Sequence, residues 1–494
     1  MTSTASTPTT TAGRTLSNYV GGAWIPSASA DLLEDRDPAT GELLARVPLS
    51  GAADVDAAVR AAREAQPAWA ETPPQVRARA LFRLRDALDR QRDELARLVT
   101  RDMGKTLPDA TAEVGRGIES VEAAMAAPHL LKGRNLSGVA RGLDVEQLHQ
   151  PVGVVAAITP FNFPAMIPLW FLPFALAAGN AFLLKPSELD PLTSERIVEL
   201  VAEIDAIPAG LVNLVHGGRD AVNAILEHPG IDAISFVGSA ATARYVNTRG
   251  AEHGKRVQAL GGAKNAIVVM PDADPALLAS GLTGSAFGAA GQRCLAGSVA
   301  VLVGTLDEQE RSLARIVKAS RALRTGAGSD PDTEVCPLVT PAARERLVGE
   351  IEQAERDGVR VVLDGRGDAG PGGASLGPTI LDDVPTDHRV LREELFGPVL
   401  ALARAADLDA ALAIVNGSRY GNASVIFTES GGAARTFRQR VEAGMVGVNV
   451  GVAAPIAWFP FSGWKDSIDG DLHANGDDAF AFYTRTKVVT SRWA

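Results

Sequence analysis

Cysteine is scarce in this sequence: 494 residues contain two, Cys294 and Cys336. Two thiols exclude a disulfide framework and a cysteine-rich zinc site, and no metal is expected. Their scarcity fits a reducing cytoplasm, the compartment expected here. Basic clusters are missing too. The net charge is −11 and no local run of lysine or arginine offsets it, which argues against a nucleic-acid partner. No apolar run is long enough to cross a bilayer. The most apolar stretch, Met166 to Gly179, is broken by Pro168 and Pro173 and reads as the start of a buried helix. The first residues, MTSTASTPTTTAGRT, lack the apolar run of a secretory signal and carry a single arginine. Residues 1–16 are therefore expected to form a disordered tail. Internal repeats are absent.

What remains is ordinary for a soluble globular enzyme, with 46% apolar and 22% charged residues. The chain is too long for one core, so two or three domains are expected. Helical periodicity runs from Ala53 to Ala126, with Leu81, Leu84 and Leu88 on one face. Short apolar runs then alternate with helix-length segments: Val152–Ile158, Ala181–Lys185, Leu211–Val215, Ala233–Val237 and Arg256–Leu260. A second alternation follows at Ala266–Met270, Ser298–Val303, Val359–Leu363, Val399–Ala403, Ala423–Phe427 and Met445–Val450, with a loop at Gly365–Pro378. These patterns predict two α/β domains built on parallel sheets. The run Phe482–Trp493 reads as a separate strand able to pair outside its own domain.

Chemistry is concentrated in a few segments. Cys294 stands in FGAAGQRCLA, where Arg293 would favour thiolate and small neighbours such as Gly291 would admit a substrate. Packing alone is the bland reading of a cysteine. In ITPFNFP, the Asn162 amide follows a strand and could donate to a developing oxyanion, or simply make an Asx turn between Pro160 and Pro164. LLKPSE puts Lys185 at a strand end, where open α/β sheets bind ligands, with Ser187 and Glu188 just beyond. SFVGSAATA places Gly238 and Ser239 between strand and helix, as a phosphate-approach turn requires. Cys336 is far in sequence from all of these and is expected to be dispensable.

Taken together, FNFP, KPSE, FVGS, the pair Gly261–Gly262, GQRC and EELFGPV, in that order, resemble the aldehyde dehydrogenase superfamily from about Ser17 to Trp493. The resemblance implies a Rossmann-like NAD-binding domain (17–140 and 159–262), a second α/β catalytic domain (263–470), and a small β oligomerisation element (141–158 and 471–494). It makes Cys294 the nucleophile, with Asn162 and the Cys294 N–H as its oxyanion hole. Lys185 and Glu188 would hold the adenosine ribose, Ser239 the pyrophosphate and Glu394 the nicotinamide ribose. Phe396 would flank the nicotinamide, and Thr159, Phe161 and Gly261 would lie along the cofactor path. Acidic Glu188 would repel a 2′-phosphate and so favour NAD. The family fingerprint has glycine where this chain has Ala243.

One departure points to a subclass. Hydrolytic members carry a general-base Glu before Leu-Gly-Gly, whereas VQALGGAKN has Ala259 there. Water, with a pKa near 15.7, needs activation, but a thiol of pKa about 8.5 does not. Coenzyme A is therefore the expected acyl acceptor. VQALGGAKN, GVNVGVAAP, FPFSGWKDS, LHANG and FYTRTKVVTSRW are similar to the CoA-acylating methylmalonate-semialdehyde (malonate-semialdehyde) dehydrogenases. That resemblance implies Arg116 and Arg293 as a clamp for the substrate carboxylate, a decarboxylated product, propionyl-CoA or acetyl-CoA, and a homodimer or homotetramer. In EVGRGIES, Arg116 could instead be a solvated helix arginine paired to glutamate. Gly115 and Gly117, each costing up to about 1 kcal/mol in a helix, suggest a close approach to the backbone. Two rivals remain: a hydrolytic enzyme using Glu252 or Glu394 to position water, and a non-catalytic NAD-binding or structural protein.

Overall fold

The computed structural model describes residues 13–493. Among the described residues two large hydrophobic cores form, as the chain length requires, beside a small cluster of Leu16, Leu44, Ala45, Val47 and Leu192. One spans the first half together with residues 457–483, and the other lies within 266–443.

The first core surrounds an eight-stranded sheet. Its order is Ile468–Gly470, Arg256–Leu260, Ala233–Val237, Val154–Ile158, Ala181–Lys185, Val212–Leu214, Asn18–Val20 and Ala23–Ile25. The five strands from Arg256–Leu260 to Val212–Leu214 run parallel. Val154–Ile158 is buried at every residue, as its unbroken VVAAI run demands of a strand covered on both faces. The second sheet orders Arg360–Leu363, Thr379–Asp382, Val399–Ala405, Gly297–Val303, Asn265–Val269, Ala423–Phe427 and Met445–Val448, and only its Arg360–Leu363 edge is antiparallel. The α/β class with parallel sheets follows the sequence patterns closely.

Helix Met166–Ala178 is buried along its whole length and ends on Gly179, a left-handed residue at φ 97°. Its last carbonyls would be orphans in the core. Trp69 Nε1 donates to Leu176 O at 2.9 Å and Arg77 Nε to Ala177 O at 3.0 Å, so the buried end is satisfied.

Sheet membership shifts several expected boundaries. Arg134–Ala140, expected in the first domain, pairs with Leu143–Pro151, which pairs in turn with Thr484–Arg492. Val154–Ile158, expected in the small β element, is instead a central strand of the first sheet. Ile468–Gly470, expected in the second domain, also joins the first sheet, antiparallel to Arg256–Leu260. The C-terminal strand starts at Thr484 because Gly476–Phe482 is a short helix, with Phe482 and Tyr483 in the core. It pairs within its own chain. Of the expected tail, residues 1–12 lie outside the described residues, and Arg14–Thr15 is already a strand against Leu43–Pro48.

Candidate active site

Chain order puts a switch point in the first sheet. From Val154–Ile158 the chain moves outward through Ala181–Lys185 and Val212–Leu214, then returns to the other side at Ala233–Val237. Segments after Val154–Ile158 and Ala233–Val237 therefore splay apart at their carboxyl ends, leaving the crevice where such sheets bind ligands. Thr159, Phe161 and Asn162 follow the first strand, and Gly238 and Ser239 follow the second. The second sheet meets this crevice with its amino ends, since Cys294 lies just before Gly297–Val303.

The cysteine loop is strained and heavily pinned. Ala289 and Ala290 have φ of 49° and 52°. Gly291 has φ 67° and a backbone so close to the Gly397 carbonyl that no Cβ fits. Asn162, 3% exposed, donates from Nδ2 to Gln292 O at 3.0 Å, which parks its amide beside the cysteine with one N–H to spare. Gln292 accepts Val339 N–H at 3.0 Å through Oε1. The Cys294 carbonyl receives two amides, Asn265 Nδ2 and Asn422 Nδ2, each at 2.8 Å. Fixing that carbonyl fixes the orientation of the residue that carries the sulfur. The sequence motifs assign no role to Asn265, the last residue of VQALGGAKN, or to Asn422. Their only signal was an amide at each junction of turn and strand.

Arg293 acts on the sulfur in the expected direction, but burial outweighs it. Burial pushes the Cys294 thiol up to about 12, the Glu394 charge pushes the same way, and Arg293 only partly counters them. A neighbouring cation does not make this a thiolate in the free protein. Cys336 is also a correction. It is not remote but fully buried beside the same loop, since Gln292 Nε2 reaches Pro337 O at 3.4 Å and Arg293 acts on both thiols.

Cys294 lines a cavity of ≈ 180 Å³ together with Arg116 and Arg293. That is below the usual range for drug-sized ligands and suits a substrate of a few carbons. Phe163, Trp170, Leu295 and Phe461 form its apolar wall. Arg116 is half-buried; its Nη1 meets Glu119 Oε2 at 2.7 Å and its Nη2 donates to Pro455 O. It is thus a glutamate-paired helix arginine and a cavity residue at once. Of the two glycines, only Gly117 is needed for close packing: a Cβ there would come within 2.7 Å of Leu169, whereas one on Gly115 meets nothing nearer than 3.9 Å. Arg293 donates from Nη2 to Gly284 O and to Ser285 O, the latter at 3.2 Å, and its Nε is buried without a partner among the described residues. Lys105 also reaches the cavity wall. It is buried against Glu113 at 2.6 Å and lies 3.6 Å from the Phe163 ring centre, so its charge is spent internally.

The remaining residues form a track along the crevice. Lys185 Nζ meets Glu188 Oε2 at 2.9 Å. Ser239 caps helix Ala240–Glu252 through Thr242 N–H, and the fully buried Ala243 leaves that turn intact. Thr159 Oγ1 is buried with no partner among the described residues. Phe161 and Phe396 stand edge to face at 5.8 Å, and Phe396 has φ 58°. Glu394 Oε1 accepts Ala263 N–H at 3.0 Å, and burial raises its carboxyl to about 7. A Cβ on Gly262 would lie 2.5 Å from Glu394 Oε2, and one on Gly261 2.8 Å from Asp466 O. Gly262 thus leaves room for the Glu394 carboxylate, and Gly261 for the turn that leads into Ile468–Gly470.

Of the two water-positioning candidates, Glu252 lies away from the site: it is exposed at a helix end and paired with Arg249 at 3.0 Å. Glu394 has only Oε1 held by a backbone N–H, and its charge reaches the Cys294 thiol. Ala259 is fully buried within its strand.

Residues 24–489 match the family model described as the aldehyde dehydrogenase family. A malonate-semialdehyde dehydrogenase of Geobacillus kaustophilus (strain HTA426) is 48% identical over 480 residues, covering 97% of this chain and 98% of its own. A crystal structure from Sinorhizobium meliloti 1021, provisionally named methylmalonate-semialdehyde dehydrogenase and complexed with NAD, superposes with a TM-score of 0.95 at 42% identity, covering 98% of this chain and 99% of its own. A methylmalonate-semialdehyde dehydrogenase from Oceanimonas doudoroffii gives a TM-score of 0.94 at 41% identity, covering 97% and 99%.

Proposed function

The chain belongs to the aldehyde dehydrogenase family, and on that premise we propose that it oxidises malonate semialdehyde, methylmalonate semialdehyde or both with NAD. The acyl group would pass through a Cys294 thioester, lose its carboxylate as CO₂, and be transferred to coenzyme A as acetyl-CoA or propionyl-CoA. The observation that carries this reading is the cavity itself, where one cysteine shares ≈ 180 Å³ with two anchored guanidinium groups. An aldehyde bearing a carboxylate satisfies both ends of it.

In this reading the Cys294 sulfur attacks the aldehyde carbonyl. The Asn162 amide and the Cys294 N–H receive the oxygen as it becomes negative, a task for preorganised donors. NAD, when bound, supplies the hydride acceptor. Its fit is supported by the orphaned Thr159 hydroxyl, the amino end of the helix opened by Ser239, and the Gly261–Gly262 cradle. Lys185 and Glu188 would take the adenosine ribose, Glu394 the other ribose, and Phe161 and Phe396 would frame the nicotinamide.

Arg116 and Arg293 would hold the carboxylate until it leaves. The absence of a base at Ala259 leaves the thioester for a thiol rather than for water. The fold also supports assembly into a homodimer or homotetramer through the three-stranded sheet. Its Leu136 and Val488 are 65% and 63% exposed in a single chain, and strand Arg134–Ala140 is an open edge. A cytoplasmic setting is consistent with two free cysteines. Among the described residues no helix is long and apolar enough to cross a membrane.

The test is a panel of malonate semialdehyde, methylmalonate semialdehyde and propanal, following NADH and acyl-CoA. The carboxylated aldehydes should dominate, with acetyl-CoA or propionyl-CoA as product. Equal kcat/KM for propanal, or no acyl-CoA, would refute the proposal.

A further inference from the structure

Asn475 combines three features that the fold does not require. It is 4% exposed. Its backbone sits at φ 67°, ψ 177°, a region that glycine occupies freely and other residues enter only under strain. Its side chain lines the cavity that holds Cys294, Arg116 and Arg293, and its Oδ1 is buried with no partner among the described residues.

The strain is imposed from outside. Phe461 N–H donates to Ala474 O at 2.8 Å and Gly476 N–H to Ala457 O at 3.1 Å, which fastens the chain on both sides of Asn475 to the cavity wall. His473 N–H donates to Asp478 Oδ2 at 3.1 Å and fixes the approach. Glycine would meet the same backbone demand without strain, and an apolar side chain would avoid the unsatisfied amide. The fold gains nothing from asparagine here. Rotation about χ2 exchanges the two ends of the amide, so the place now taken by the orphaned oxygen can be taken by an N–H donor.

We infer that Asn475 is a specificity-determining residue, its amide donating to the carboxylate of the substrate alongside the two arginines. The inference rests on the carboxylated-aldehyde reading above. The arginines supply charge but spend several N–H groups on Glu119, Pro455, Gly284 and Ser285. A neutral amide adds a directed donor without a further cation.

The experiment compares N475G and N475D with wild type on malonate semialdehyde and on propanal, at saturating NAD and coenzyme A. Glycine relieves the backbone, so N475G should fold with an unchanged or higher Tm. Its kcat/KM ratio of malonate semialdehyde to propanal should fall about 10- to 100-fold, chiefly through KM, as expected for a hydrogen bond to a charged group. N475D should lower the ratio further by repelling the carboxylate. A ratio within twofold of wild type, or equal losses on both aldehydes, overturns the inference while leaving the substrate reading intact. A wild-type enzyme with no preference for the carboxylated aldehyde overturns both.

Discussion

Replacing Arg116 and Arg293 one at a time by leucine separates their roles. Arg116 keeps 35% of its side chain exposed and is already paired with Glu119, so solvent screens part of its attraction for a substrate carboxylate. Truncating one partner of a buried, hydrogen-bonded charge pair costs about 2–5 kcal/mol, and a half-exposed arginine belongs near the lower bound. About 2 kcal/mol is roughly 30-fold in kcat/KM. Arg116→Leu should lose that factor on malonate semialdehyde and little on propanal, because propanal brings no carboxylate. Arg293 is more enclosed, and its loss also uncovers the Gly284 and Ser285 carbonyls and removes the cation that acts on Cys294. Arg293→Leu should cost nearer 5 kcal/mol on the semialdehyde, several thousand-fold, and should impair propanal as well. The assay is kcat/KM for both aldehydes in both variants. Equal losses on the two aldehydes for Arg116→Leu would make Arg116 a helix residue and refute the clamp.

Cys294 in the free protein should react with iodoacetamide about tenfold faster per pH unit from pH 7 to 9. Thiolate is the reactive form, and burial pushes the thiol up to about 12. Glu394→Gln removes a charge that raises it and should speed alkylation, whereas Arg293→Leu should slow it; a plateau below pH 8 contradicts this picture. Glu188→Gln should weaken the preference for NAD over NADP, and a wild type with higher kcat/KM for NADP would sink that assignment. Deleting residues from Arg485 onward should yield monomers or aggregates by light scattering, and an unchanged mass would refute the assembly role of the strand. A cut at Ala481 would be uninformative, because Phe482 is core and the Tyr483 hydroxyl meets Ser235 Oγ at 2.8 Å.

How much was legible depended on whether a residue's role was local. The parallel strands of the first sheet stand out where a short apolar run is closed by turn residues, as in VVAAI and AFLLK, which are buried throughout. Edge strands such as Ala23–Ile25 and Arg134–Ala140 give no such signal, being half-exposed or fully exposed, and the domain boundaries shift with them. Thr379–Asp382 is buried but only four residues long, directly after a glycine-rich loop. The motif segments could be placed because a reactive residue type and a turn coincide in them. The Asn265 and Asn422 bonds to Cys294 join residues 29 and 128 positions apart, and no local pattern encodes them. Cys336 is a further case: distance along the chain says nothing about its place beside the Gln292 loop.

Coenzyme A dependence of turnover tests the central claim most directly. Mixed with NAD and malonate semialdehyde but no coenzyme A, the protein should release one burst of NADH, at most one per Cys294, and then stall with an acyl group on that sulfur detectable by mass spectrometry. Adding coenzyme A should restart NADH formation and release acetyl-CoA. Sustained NADH formation with free acid as product in the absence of coenzyme A would contradict the account.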